Sequence, residues 1–183
     1  MPSFDKSAAF DLAKEKLIKS GCSEENTLGI IEGILDAEFS GIKSHGFHYL
    51  PIYCNHLKIG KIKGDANSSF EKISNSALKV DADNGFAHSA IKLGFPEFLE
   101  MSSKEGISCM SVYNSYNCGV LGFHTKHIAE KGYLGLGFTN APASIAPQGG
   151  VKAVVGTNPF SIAVPYQGSA SIIIDQSASV VAK

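Results

Sequence analysis

The period of the hydrophobic pattern changes partway along the chain, and that change limits the folds open to it. Up to about residue 60 the apolar residues recur at helical spacing. Ala9, Phe10, Ala13, Leu17 and Ile18 make one stripe between residues 4 and 19, with Asp11, Glu15 and Lys19 opposite and Gly21 at the end. Ser23, followed by Glu24 and Glu25, starts a second helix. Its apolar face is Ile30, Ile31, Ile34, Leu35 and Phe39, and Gly41 closes it. Pro51 opens a third helix carrying Tyr53, Leu57 and Ile59, with Gly60 at its end. Residues 60–76, rich in Lys, Gly, Asn and Ser, read as a surface connection, and Asp81 to Gly85 as a turn. A helix from Phe86 to Ser103 follows, with a break or kink at Pro96. Beyond it, strand-like runs take over at 107–113, 134–139, 160–164 and 171–174, the last a buried strand, with a helix-like stretch at 120–131. Helices first and strands afterwards predict a mixed α/β (α+β) fold. A helical N-terminal domain occupies residues 1–77 and an α/β domain residues 78–183.

Composition narrows the partners. A chain of 183 residues, 44% hydrophobic, is long and apolar enough for a real core. Sixteen Lys plus Arg against seventeen Asp plus Glu leave a net charge of −1, which offers no electrostatic footprint for nucleic acid or an anionic membrane. No apolar run approaches the roughly 18–20 residues that a bilayer demands. The opening Met1 to Lys6 lacks the basic stretch and apolar run of a signal peptide. Cys22, Cys54, Cys109 and Cys118 are spaced 32, 55 and 9 apart, neither a zinc pattern nor a secreted disulfide framework. Reduced thiols in a cytoplasmic protein are expected. At the other end, Gln176 to Lys183 is small, apolar and helix-compatible and stops without a cap, which reads as the cut end of a longer protein.

Four blocks of residues are able to carry chemistry. In the first, Ser44-His45-Gly46 follows a helix, and a histidine there is placed to exchange protons near neutral pH. Alone, the same three residues better describe a loop histidine bonded to backbone. The pairs His45/His48 and His124/His127 have zinc-ligand spacing but no third ligand, so no metal is expected. The second block, Asn114 to Gly122, is a small, polar strand-to-helix turn of the kind that turns N–H groups towards an anion; an ordinary capped turn has the same composition. The third comprises Thr139-Asn140-Ala141-Pro142, Ala146-Pro147-Gln148-Gly149-Gly150 and Gly156-Thr157-Asn158-Pro159, three turn strings dense in hydrogen-bonding groups. The fourth is the strand end Ile172 to Ser177, where Asp175 suits either a ligand contact or a helix N-cap. No Gly-x-Gly-x-x-Gly follows any strand, and no Gly-x-Ser-x-Gly appears. A doubly wound dinucleotide fold and a hydrolase elbow both lose their signatures.

In this order the blocks resemble the malate/L-lactate dehydrogenase family of nicotinamide-dependent oxidoreductases. That family is separate from the better-known lactate and malate dehydrogenases. It includes ureidoglycolate and sulfolactate dehydrogenases, diketogulonate reductase and cyclic ketimine reductases. The strings that carry the likeness are Ser40 to Gly46 with Leu50-Pro51, Val80 to Phe86, Asn114-Ser115 with Gly119, and Thr139-Asn140. Ala146-Pro147 with Gly149-Gly150, Gly156 to Pro159, and Asp175 leading to Ser179-Val180-Val181-Ala182 complete them. The resemblance implies NAD or NADP held on a non-Rossmann mixed sheet in residues 78–183, a small-molecule substrate, and a homodimer in the full-length form. It implies His45 as proton donor, with Ser44 orienting or relaying. Tyr49 and Thr157 would touch the substrate. Asn117, Cys118, Gly119, Val120 and Leu121, together with Ile172, Ile173, Ile174, Asp175, Gln176 and Ser177, would line the cofactor. A truncated or non-catalytic relative, and a cytoplasmic small-ligand-binding module, are the alternative readings.

Three departures stand out. Tyr49 occupies the place of a family arginine and cannot form a bidentate charged pair with a carboxylate. Asn117 replaces an active-site histidine of the family and does not titrate. Family members also continue past the point corresponding to Lys183, so that these residues alone are expected to leave sheet edges and an apolar face uncovered.

Overall fold

Asp5 starts the first helix by accepting the Ala8 N–H at 2.8 Å. The computed structural model describes residues 5–178; Phe4, at the start of the expected first helix, and Ser179 to Ala182, the last string of the resemblance, lie outside them. The chain divides between Gly119 and Val120 into two compact units. The boundary read from the sequence near residue 78 falls inside the first, at the head of a strand.

The first unit begins with three helices, α1 (Lys6–Lys19), α2 (Glu24–Phe39) and α3 (Leu50–Lys58). Ser23 caps α2 as its sequence predicts, accepting from Asn26 N–H at 3.4 Å. Leu17, Ile30, Ile31, Tyr53, Ile62 and Phe86 fill the core among the three, all 2% exposed or less. Burial in that core pushes the Cys22 thiol up to about 12. The stripe is narrower than its apolar residues allow, for Ile18, Phe39 and Ile59 are exposed.

Residues expected to form only a surface connection contain instead β1 (Ser69–Ser74), followed by β2 (Ala77–Asp81). β1 is an edge strand with all six residues exposed, so its side chains carry no burial alternation to read. β2 does alternate, burying Leu78 and Val80, but over only five residues. α4 (Ala87–Glu105) runs unbroken through Pro96, with no break there, and packs on α2 and on the sheet. β3 (Cys109–Tyr113) joins β2 in parallel, giving the order β1-β2-β3, with Leu78 opposite Met110 and Val80 opposite Val112. Leu78, Val80, Ala82, Ala90 and Met101 form a second core between this sheet and α4.

The second unit is α5 (Leu121–Glu130) laid on the antiparallel sheet β4-β5-β6. Its strands are β4 (Gly135–Phe138), β5 (Phe160–Tyr166) and β6 (Ser169–Gln176). A buried hydrogen bond of 2.7 Å between the Thr125 and Ser161 hydroxyls ties helix to sheet. Register places Leu136, Ile162 and Ile174 in one row and Phe138 beside Phe160 in the next, on the face away from α5. Here the sequence reading needs correction. The strand at 171–174 exists, yet Ile172, Ile173 and Ile174 are 53%, 43% and 46% exposed rather than buried: Ile172 and Ile174 lie on the face that no described element covers, and Ile173, on the other face beside Gly122 of α5, is only partly covered. Among the described residues none of the four cysteines is in a disulfide, and no helix is long and apolar enough to cross a membrane.

Candidate active site

Between α2 and α3 the chain makes two 3-10 turns, Lys43–His45 and Phe47–Tyr49, joined by Gly46. Gly46 is buried because the Glu38 carboxylate lies where a Cβ would point, and that carboxylate accepts the Phe47 N–H at 3.0 Å. The two turns bring His45 and Tyr49 face to face, with ring centroids 5.3 Å apart and planes 16° from parallel. The Ser44 hydroxyl lies 3.0 Å from His45 Nδ1. Ser44, His45 and Tyr49, three of the residues expected to act on the substrate, therefore form one cluster. His48 is exposed and meets Tyr49 edge-on.

Behind Tyr49 runs a set of aromatic rings that the sequence pattern does not single out. Tyr49 contacts Tyr53 at 5.3 Å, and Tyr53 contacts Phe86 and Tyr116 at 5.2 and 5.9 Å. Tyr116 closes the set with a 2.6 Å hydrogen bond between its hydroxyl and His56 Nδ1. Tyr53 reads from periodicity as a core residue of α3, and it is one, at 2% exposure. Only its hydroxyl separates it from a phenylalanine, and that hydroxyl donates to Asn117 Oδ1 at 2.9 Å.

The strand-to-helix block is split by the structure. Asn114, Tyr116, Asn117, Cys118 and Gly119 end the first unit. Asn114 O accepts from Asn84 N–H at 2.8 Å, and Tyr116 N–H donates to Gly85 O at 2.8 Å. Asn117 Oδ1 also accepts the Gly119 N–H at 2.6 Å, closing a tight turn in which Gly119 takes φ +67°. A Cβ on Gly119 would come within 3.0 Å of His88 Nε2, the imidazole of a 4%-exposed residue on α4. The Asn117 carboxamide thus fixes backbone.

Val120 and Leu121 open α5 in the second unit. There the Gly122 N–H donates to Asp175 Oδ2 at 2.6 Å. Asp175 lies within β6, so it caps not a helix of its own, as the N-cap alternative has it, but the first turn of α5. Ile172, Gln176 and Ser177 are exposed along and beyond the same strand. The third block also assembles: Ala141 N–H donates to Asn158 Oδ1 at 3.0 Å, Thr139 N–H donates to Pro159 O at 3.2 Å, and Ile145 bridges Val155. Thr157 O accepts from Ala178 N–H at 2.9 Å, which sets Thr157 beside the end of β6. His127 Nδ1 lies 2.7 Å from Phe123 O within its own helix, and among the described residues no His, Cys, Asp or Glu cluster is able to hold a metal.

A family model described as malate/L-lactate dehydrogenase matches residues 4–183. The chain is 35% identical over 150 residues to a (2R)-3-sulfolactate dehydrogenase (NADP(+)) of Chromohalobacter salexigens, covering 82% of this chain and 45% of that protein. It is 31% identical to a malate dehydrogenase of Pyrococcus abyssi, covering 96% and 48%. A crystal structure of delta1-piperideine-2-carboxylate reductase from Pseudomonas syringae superposes with TM-score 0.93 at 25% identity, covering all of this chain and 55% of that one. The chain spans about half the length of these relatives.

Proposed function

The chain belongs to the malate/L-lactate dehydrogenase family, and from that premise we propose that the protein is an NAD(P)-dependent oxidoreductase. Its substrate is a small 2-oxo or 2-hydroxy acid or a cyclic imino acid. The bound nicotinamide supplies or accepts hydride at C2 of that substrate. The observation that carries the reading is the His45 imidazole, half-exposed on a short turn and steadied on one face by Tyr49 and at Nδ1 by Ser44. In this reading the imidazole exchanges a proton with the substrate oxygen or imine nitrogen. Ser44 orients the ring. Tyr49 and Thr157 contact the substrate, Tyr49 through one hydroxyl hydrogen bond rather than a charged pair.

Residues 117–121 and 172–177 hold the cofactor. They fit such a group: Ile172 and Ile174 offer exposed apolar surface, and the strand runs out into exposed Gln176 and Ser177. Asp175 acts through Gly122 by fixing the first turn of α5. The relative named for NADP(+), and the reductases named for cyclic imino acids, support the cofactor and the substrate class. The helical domain 1–77 and cofactor domain 78–183, the homodimer and the cytoplasmic location are part of the same proposal. They rest on the family likeness and, for the location, on a cysteine spacing unlike a secreted disulfide framework.

In the complete protein, NADH or NADPH fluorescence is expected to change on binding. Absorbance of the reduced nicotinamide is expected to fall when a 2-oxo acid or ketimine is added. His45→Ala is expected to cut turnover by about 100-fold or more, the usual worth of a positioned general acid. A complete protein that binds neither cofactor ends this reading. Turnover unchanged in His45→Ala removes His45 from the proton-donor role.

A further inference from the structure

Three features of the first unit converge on one side chain the proposed chemistry does not use. Tyr53 is buried, its hydroxyl is bonded to Asn117, and its ring touches the tyrosine stacked on His45. The first half of the loop after β3 is held by the backbone of the turn at 82–85, through Asn114 and Tyr116. The second half is held differently. Asn117 Oδ1 receives the Tyr53 hydroxyl and the Gly119 N–H at once, so the tyrosine fixes the carboxamide that fixes the glycine turn. Burial holds the Tyr53 phenol protonated well above its usual range, with the neighbouring Tyr49 adding to the effect, so it remains a donor.

We propose that Tyr53 is a positioning residue for the reaction: through Asn117 it sets the loop at 117–119, and through Tyr49 it steadies His45. The proposal rests on the oxidoreductase reading for the purpose of that loop, but the linkage itself is a property of this unit alone. It assigns Asn117 a definite task, anchoring backbone where the family pattern has a titrating group. It also separates the hydroxyl of Tyr53, which serves the loop, from the ring, which serves the stack.

The two tasks come apart by substitution in the complete protein. Tyr53→Phe removes the hydroxyl and keeps the ring; it is expected to raise the KM and Kd for NADH or NADPH by roughly five- to tenfold, the worth of one hydrogen bond, with kcat little changed. Asn117→Ala is expected to do the same. The double variant is expected to be no weaker than the worse single one, because both cut one chain of bonds. Tyr53→Leu, which also removes the ring beneath Tyr49, is expected to lower kcat and move the pH profile of kcat as His45 loses its support.

Amide hydrogen exchange at Gly119 gives a readout that needs no cofactor: it is expected to quicken in Tyr53→Phe and in Asn117→Ala. Unchanged exchange in both overturns the linkage, whatever the enzyme does. Penalties that multiply in the double variant also overturn it. Quickened exchange in a protein that binds neither cofactor leaves the linkage standing and removes the oxidoreductase reading. If Tyr53→Phe fails to fold, Asn117→Ala decides the matter alone, and unchanged Gly119 exchange there overturns the proposal.

Discussion

At Gly46 the absence of a side chain is a structural requirement, because the Glu38 carboxylate fills the space a methyl would take and holds the Phe47 N–H from there. A Gly46→Ala substitution must displace either that carboxylate or the two 3-10 turns that face His45 to Tyr49. It is expected to destabilise the fold by about 1–3 kcal/mol, seen as a lower Tm, and to lower turnover by moving His45. The string Ser-His-Gly was legible in the sequence as a candidate site, and its glycine as part of it. The reason for the glycine was not, since Glu38 belongs to the preceding helix and nothing in its spacing marks it as the partner. Tyr53 was legible only as core. Whether a buried tyrosine uses its hydroxyl depends on what lies opposite in space, here Asn117.

Elements were readable where burial imposed a period and unreadable where it did not. The three N-terminal helices follow from stripes, caps and closing glycines, and Gly21, Gly41 and Gly60 all take positive φ where they end. β1 was missed because an edge strand exposed on both faces shows composition without alternation. The run Ile172 to Ile174 was misjudged in the opposite sense: an apolar strand signals that it is suited to burial, while its actual exposure depends on what covers it. The turn between β2 and α4 has its own signature in acid. Asp81 is held below the usual carboxylate range chiefly by the Asp83 N–H, and Asp83 chiefly by its bond to Lys63. Both pKa values are depressed, so their stabilisation is present above the ordinary Asp value of about 3.9 and is lost as the pH falls through the lowered range. Tm is therefore expected to drop on acidification below about pH 4, and the drop is expected to be smaller in Asp83→Asn, which has less of this stabilisation to lose.

For the molecule as a whole, the chain matches about half of each relative, and one sheet face in its second unit shows Leu136, Phe138, Ile172 and Ile174 to solvent. The sequence reading expected such an uncovered face. An apolar surface of this kind drives association in water. The 183-residue chain is expected to scatter light increasingly with concentration, and Phe138→Ser with Ile174→Ser to reduce that increase without lowering Tm. Scattering that the double substitution leaves unchanged would place the contact elsewhere.

The bond between Tyr53 and Asn117 joins residues 64 apart in the chain. A hairpin and the long fourth helix lie within the loop that this contact closes. Closing so long a loop costs entropy that only the finished structure returns. The glycine turn at 117–119, which takes its anchor from that bond, is therefore expected to be set late in folding, after the two 3-10 turns that Glu38 holds locally.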